Sequence, residues 1–310
     1  MFDTHCHLNF KAFDGKVDGV IESARNAGVN YFVVPGTDVE SSKKAVEIAE
    51  KFKGVYAAVG IHPHHIYQYQ IAKIKYQSFD KLRIDPERSR MDQKYILNIK
   101  NDLIQIERLL TSTKVVAVGE VGIDRHIYKN TKYQDYNIGE NFIDLQKEFF
   151  IEQLKLAHKY KKTLIIHNRE AKKDILEVLS NDQQLAINNR IVFHCCEPDF
   201  VETGHAPSLL RFAKKHKIYI GVDGDVTYWK EKQDFVKKIP LEMLVLETDS
   251  PFILPRLNRD IGKQEKHLKF PNEPKNLPLI ASCIAAKIGI SLDKLEKITE
   301  ENSKKLFGIS

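Results

Sequence analysis

His5, His7, His62, Glu120, His167, His194 and Asp249 each fall at or just beyond the carboxyl end of a short β-branched run. Neutral imidazole nitrogens and carboxylate oxygens are ligands for divalent zinc, manganese or magnesium, with carboxylates shifting the preference towards harder ions. Residues two apart on a strand point to the same side, so His5 and His7 could grip one ion while Cys6 points away. A carboxylate such as Glu120 has two oxygens and could bridge two ions. Two adjacent ions lower the pKa of a shared water, orient a phosphoryl group and stabilise a leaving oxygen. A single histidine is more often a hydrogen-bonded structural residue than a ligand. What points to a metal site is recurrence at strand ends of one sense, because those ends share one face of a parallel barrel.

The elements that must position these residues follow from periodicity. Runs at 2–7, 30–34, 55–59, 115–118, 163–167, 190–194, 218–222 and 243–247 predict strands. Between them, apolar residues recur every three or four positions, as in Val17, Val20, Ile21 and Ala24, or Phe142, Leu145, Phe149 and Leu156. Strands alternating with helices pair in parallel through right-handed crossovers. The eight units predict an α/β fold, a TIM-like (β/α)8 barrel with its metal site at the C-terminal ends of the strands. At 310 residues the chain suits one large barrel or two smaller domains. No internal repeat or low-complexity linker divides it, and a midpoint split would part His5, His7 and Glu120 from His167, His194 and Asp249. A single domain over 1–310 is therefore expected.

With 42% hydrophobic and 29% charged residues, the chain can bury a core and is neither disordered nor fibrous. No run approaches the ~20 apolar residues of a membrane span, and Met1 to His5 do not begin a secretory signal. A cytoplasmic protein without a membrane or an obligate protein partner is expected. The adjacent Cys195 and Cys196 read as small core residues rather than soft metal ligands, and a disulfide between neighbours is geometrically poor.

The formal charge of +6 mildly favours a polyanionic partner. Its placement says more. An extended loop at about 65–93 carries Tyr67, Tyr69, Lys73, Lys75, Tyr76, Lys81, Arg83, Arg88 and Arg90; residues 125–136 and the loop 251–274, with Arg256, Arg259, Lys263, Lys266, His267 and Lys269, are similar in character. Basic residues neutralise phosphates and aromatic faces stack on unpaired bases, which suits single-stranded nucleic acid at the metal face.

The segments Phe2-Asp3-Thr4-His5-Cys6-His7-Leu8, Gly60-Ile61-His62-Pro63-His64, Gly119-Glu120-Val121-Gly122-Ile123-Asp124, Ile166-His167-Asn168-Arg169-Glu170-Ala171 and Glu247-Thr248-Asp249-Ser250-Pro251 resemble the signatures of the TatD family of metal-dependent deoxyribonucleases, within the amidohydrolase superfamily. Asn272-Glu273-Pro274, and Asn302 with Leu306-Phe307-Gly308, extend the resemblance over essentially the whole chain. It implies that His5, His7 and Asp249 hold one divalent ion, His167 and His194 a second, and that Glu120 bridges the two. Asp249 would also take the proton from the attacking water, with Glu120 the other catalytic carboxylate. His62 and His64 would contact substrate or support the metal ligands, and Arg169 would clamp a phosphate oxygen. Glu247, two residues before Asp249, would orient a ligand. The implied reaction is exonucleolytic hydrolysis of phosphodiester bonds at DNA ends. The same metal site could serve an amidohydrolase-type esterase, lactonase, phosphotriesterase or aminoacyl-tRNA deacylase, and a non-catalytic nucleic-acid-binding barrel is a third possibility. The chain departs from the family after the sixth strand, where Cys196-Glu197-Pro198-Asp199 replaces the usual phenylalanine, serine and glycine.

Overall fold

The computed structural model describes residues 1–70, 101–133, 136–182, 190–198, 208–256 and 268–309. Its strands are β1 (Phe2–Asp3), β2 (Tyr31–Pro35), β3 (Val55–Val59), β4 (Val115–Asp124), β5 (Thr163–Arg169), β6 (Ile191–Phe193), β7 (Tyr219–Val222) and β8 (Leu244–Leu246). They form one eight-stranded sheet in sequence order, every neighbouring pair parallel. The first and last strands meet through backbone bonds: Thr4 N–H to Leu246 O at 3.0 Å, Asp249 N–H to His5 O at 2.9 Å and His7 N–H to Ser250 O at 2.7 Å. The result is the TIM-like barrel that the alternation predicts, with helices such as Val39–Lys51 and Glu140–Tyr160 on its outside.

Alternation along each strand sorts the core into two layers. Phe2, Val33, Ala58, Ala117, Ile165, Val192 and Val245 cluster inside the barrel, and Leu306 and Phe307 of the helix Leu292–Phe307 close its lower end. Their neighbours in sequence, among them Phe32, Val34, Ala57, Val118 and Leu164, pack outwards against the helices. Each large apolar side chain so buried contributes about 1.5–3 kcal/mol. Filling the lower half with hydrocarbon leaves the upper half for polar chemistry.

Two strands differ from expectation in ways that matter. β1 stops at Asp3, because the chain curls after Cys6, with Leu8 N–H bonding Cys6 O and Phe10 N–H bonding His7 O. His5 and His7 therefore sit on the rim. β4 runs six residues past its predicted end, to Asp124, with a register shift against β5 between Val118 and Val121. Glu120 lies within that irregularity, the kind of feature that re-aims a side chain.

Tyr67 and Tyr69, expected in a substrate-facing loop, instead belong to a short helical stretch and are buried. Their rings pack on Phe142 and Phe149 at 5.2 and 5.0 Å, where apolar contact outweighs exposure. The remainder of the 65–93 loop from residue 71, and 257–267 of the later loop, lie outside the described residues. Among the described residues no single helix is long and apolar enough to cross a membrane.

Candidate metal centre

Past β1, His5 and His7 turn their Nε2 atoms towards each other, 3.1 Å apart. Glu120 Oε2 lies 3.5 Å from the first and 3.7 Å from the second. Asp249 Oδ1 completes the group at 3.8 and 3.6 Å. Donors about 2.1 Å from one ion stand roughly 3.0–3.4 Å apart in tetrahedral or octahedral geometry, so this frame needs only small movements to hold a divalent ion. The donor chemistry fits as well. Two imidazole nitrogens at hydrogen-bond distance can share only one proton, and two carboxylates beside them add acceptors alone.

The other oxygen of Glu120 faces a second set. His167 Nδ1 is 2.8 Å from Glu120 Oε1, His194 Nε2 3.5 Å and His62 Nε2 3.6 Å. His194 Nε2 is also 3.7 Å from Asp249 Oδ1, and its ring stacks on His5 with centroids 3.5 Å apart. His194 thus stands between the two groups. His62 approaches Glu120 as closely as the expected ligands do, which makes it a candidate ligand rather than a group confined to substrate contact.

Two of the imidazoles, His167 and His194, each have a carboxylate behind them. His167 Nε2 meets Asp124 Oδ2 at 3.0 Å, Tyr128 donates its hydroxyl to the same oxygen at 2.7 Å, and Gln146 bonds both the N–H and the C=O of Asp124. Gly122 permits this approach of β4 to β5: its φ is +145°, and a Cβ there would lie 2.0 Å from His167 O. On the far side, His194 Nδ1 lies 3.1 Å from Glu247 Oε1. Backing of this kind fixes the tautomer and direction of a ligating histidine.

The charges are unequally shared. Burial alone would depress His167, but its bonds to Asp124 and Glu120 raise it to about 9. Burial likewise opposes the proton on His194, yet Glu247 and Glu120 lift it to about 10. His62 is pushed well below its ordinary value by burial and by the charge on His167, and His5 is lowered by burial and by His194. Glu120 stays ionised despite burial, because His62, His194 and His5 surround it. His167 and His194 thus hold a proton more tightly than a free imidazole does, and His5 and His62 less tightly.

This group forms one wall of a cavity of about 500 Å³. His64 also lines it but does not reach the carboxylates; its Nε2 is 3.0 Å from Thr131 Oγ1 and its ring leans on Tyr128. Arg169 enters the cavity from the end of β5, its guanidinium 5.2 Å from the centre of the Tyr128 ring and its Nη1 donating to the tyrosine oxygen at 3.2 Å. Arg125, grouped with substrate-facing basic residues on sequence grounds, is instead committed to ion pairs. It bonds Asp174 at 2.7 and 3.0 Å and Glu140 at 2.9 and 3.3 Å, so its charge is already neutralised. Cys196 is buried in the core as expected, whereas Cys195, at φ 43°, lines the cavity.

Sequence reasoning gave no role to Asp124, although period-two spacing from Glu120 places both on one side of β4. It also missed an ion triad in the cavity wall. Fully buried Lys232 lies 3.0 Å from Asp223 and 2.7 Å from Asp225, and the Asp-Gly-Asp run ending β7 was its only sequence signal.

Comparison with known proteins agrees with this geometry. The family model described as TatD related DNase matches residues 2–308. The chain belongs to the TatD family. This TatD-family chain is 32% identical to the uncharacterized metal-dependent hydrolase YabD of Bacillus subtilis over 100% of both sequences. It is 28% identical to the 3'-5' ssDNA/RNA exonuclease TatD of Escherichia coli, again over 100% of each. The crystal structure of YJJV, a TatD homolog from Escherichia coli K12, superimposes with a TM-score of 0.71 at 26% identity, covering 100% of this chain and 98% of that one. The TatD match takes in both the His5–His7 rim and the C-terminal helix that closes the lower end of the barrel.

Proposed function

We propose that this chain is a metal-dependent exonuclease that hydrolyses phosphodiester bonds at the ends of single-stranded DNA and holds two divalent ions. The observation that carries this reading is the position of Glu120, which offers Oε2 to His5 and His7 and Oε1 to His167, His194 and His62 at the wall of an open cavity. The bound ions supply Lewis acidity, lowering the pKa of water and offsetting phosphoryl charge. His5, His7 and Asp249 would hold one ion and His167 and His194 the other, with Glu120 offering one oxygen to each set and His62 within reach.

The chain's own residues do the rest. Asp249, only 8% exposed and turned to the cavity, accepts the proton released as water attacks phosphorus. Arg169 lies where its guanidinium can pair with a phosphate oxygen, and Tyr128 sets its direction. Asp124 and Glu247 keep His167 and His194 aimed at the centre. The Escherichia coli relative, named a 3'-5' exonuclease on single-stranded DNA and RNA, supports the choice of nucleic acid over other esters.

The test is an end-labelled single-stranded oligonucleotide incubated with the purified protein and magnesium, manganese or zinc in turn, with Asp249→Asn alongside. Stepwise shortening from one end, abolished by chelation and by the substitution, is the expected result. Faster turnover of a lactone or carboxylic ester panel than of DNA would replace this reading with the amidohydrolase one. Binding of DNA without turnover under every metal would leave a non-catalytic barrel.

A further inference from the structure

The turn that carries Asp249 also carries an aromatic ring that the fold leaves half exposed. Phe252 is 45% exposed, although burying such a side chain would gain about 1.5–3 kcal/mol. Among the described residues it is the one large exposed apolar side chain that lines the metal-bearing cavity. Its surroundings are aromatic. The His7 ring stacks on Phe10 at 4.2 Å and 24°, and Phe252 stands across both, its centroid 6.0 Å from Phe10 at 78° and 6.1 Å from His7 at 71°. Phe10 and Phe252 therefore form a corner that opens to the cavity, directly beside a candidate metal ligand.

The corner is rigid. Phe252 N–H bonds Asp249 O at 2.8 Å, closing a turn in which Asp249 has φ 49° and Ile253 φ 41°. A β-branched residue in the left-handed region is strained and persists only when its surroundings fix it. Asn272 does so, donating from Nδ2 to Thr248 O and Ile253 O at 2.9 and 3.1 Å while its own N–H bonds Pro251 O at 2.9 Å. Gly224 adds a tight fit from below, since a Cβ there would lie 2.4 Å from Ile253 O. The exposed ring is thus fixed relative to Asp249 by a chain of only two intervening residues and a clamp.

We infer that Phe252 is the stacking platform for the terminal base of the strand being cleaved. The inference rests on the exonuclease reading above and adds to it a residue that positions substrate. A phosphodiester at the Glu120 and Asp249 carboxylates has its base one sugar away, and the Phe10–Phe252 corner is the apolar surface adjoining them. Stacking on a phenyl ring is tolerant of base identity and is worth about 1–3 kcal/mol per base, which corresponds to roughly 5- to 150-fold in binding. Phe252 then registers the chain end so that one phosphodiester, rather than any along the strand, meets the metal centre.

Two measurements on the full chain test this. The first is binding, with divalent ion present, of a single-stranded oligonucleotide made resistant to cleavage by phosphorothioate linkages and ending in 2-aminopurine, whose fluorescence is quenched by stacking. Quenching is expected with the wild type and with Phe252→Trp, and at least about fivefold weaker binding with loss of the quench in Phe252→Ala. Equal quenching and affinity in Phe252→Ala overturns the inference. The second compares cleavage of oligonucleotides whose terminal nucleotide carries a base or is abasic. The wild type and Phe252→Trp should prefer the base-bearing end by about tenfold in kcat/KM, a preference reduced to twofold or less in Phe252→Ala. A purely structural role would slow both substrates equally in Phe252→Ala and would also overturn the inference. Failure of the wild type to cleave either substrate counts against the exonuclease reading, whereas the binding experiment reads the platform itself.

Discussion

Glu247 sits behind His194, Oε1 to Nδ1 at 3.1 Å, in space that exists only because residue 221 has no side chain. A Cβ on Gly221 would lie 2.6 Å from both carboxylate oxygens of Glu247. A glycine on β7 therefore decides where a histidine after β6 points, through a carboxylate after β8. Glu247→Gln keeps the volume but weakens the pull on the imidazole proton. It should reduce metal affinity about 10- to 100-fold, measured by titration with manganese or zinc, with the circular dichroism spectrum retained. Gly221→Ala should do the same and lower Tm besides.

Asp249→Asn should leave the fold intact and remove the proton acceptor. Turnover of single-stranded DNA should fall by about 10²- to 10⁴-fold, with a smaller change in KM. Unchanged turnover would remove Asp249 from the role proposed for it.

The raised values of His167 and His194, about 9 and about 10 against an ordinary 6.5, give the metal centre its own contribution to the pH dependence of the metal-free protein. A group whose folded value is raised contributes stability that is fully present below 6.5 and lost as pH climbs through the folded value. Chelated protein should therefore lose Tm progressively from neutral to alkaline pH. Metal binding competes with those same protons, so it should release protons and strengthen as pH rises. The increment in Tm on adding manganese should be larger at the alkaline end, and calorimetry in buffers of different ionisation enthalpy should register the proton release.

Arg169 and Arg125 lie near each other in sequence logic but not in use. Arg169→Ala should raise KM for oligonucleotides about tenfold while metal affinity holds, because its guanidinium is directed to the cavity. Arg125→Ala should leave cleavage unchanged and cost about 1 kcal/mol or less of stability, since its partners Glu140 and Asp174 form a partly solvent-screened network. Denaturant melts and steady-state kinetics of the two variants separate the roles.

Much of this was legible in the sequence for a definite reason. Parallel strands buried on both faces read as continuous β-branched runs, and the strand ends that face one rim carry the histidines, so alternation and residue type together placed His5, His7, His167, His194 and Asp249. Asp124 was obscured because β4 runs six residues past its apolar stretch, through a register shift that no periodicity reveals. Arg125, Tyr67 and Tyr69 were misjudged for the opposite reason. Composition marks a residue as basic or aromatic, but only tertiary contact shows that Asp174 and Glu140 have taken the charge and that Phe142 and Phe149 have taken the rings. The Asp223–Lys232–Asp225 triad depends on a helix folding back over the end of β7, which residue spacing does not encode.

The bonds that close the barrel, from Asp249 to His5 and from His7 to Ser250, join residues at opposite ends of the fold. A chain emerging from the ribosome exposes His5 and His7 early, yet it holds no complete centre until the eighth strand has been made and docked. A chain cut before the eighth strand therefore lacks both Asp249 and the backbone bonds that hold the His5–His7 rim in place.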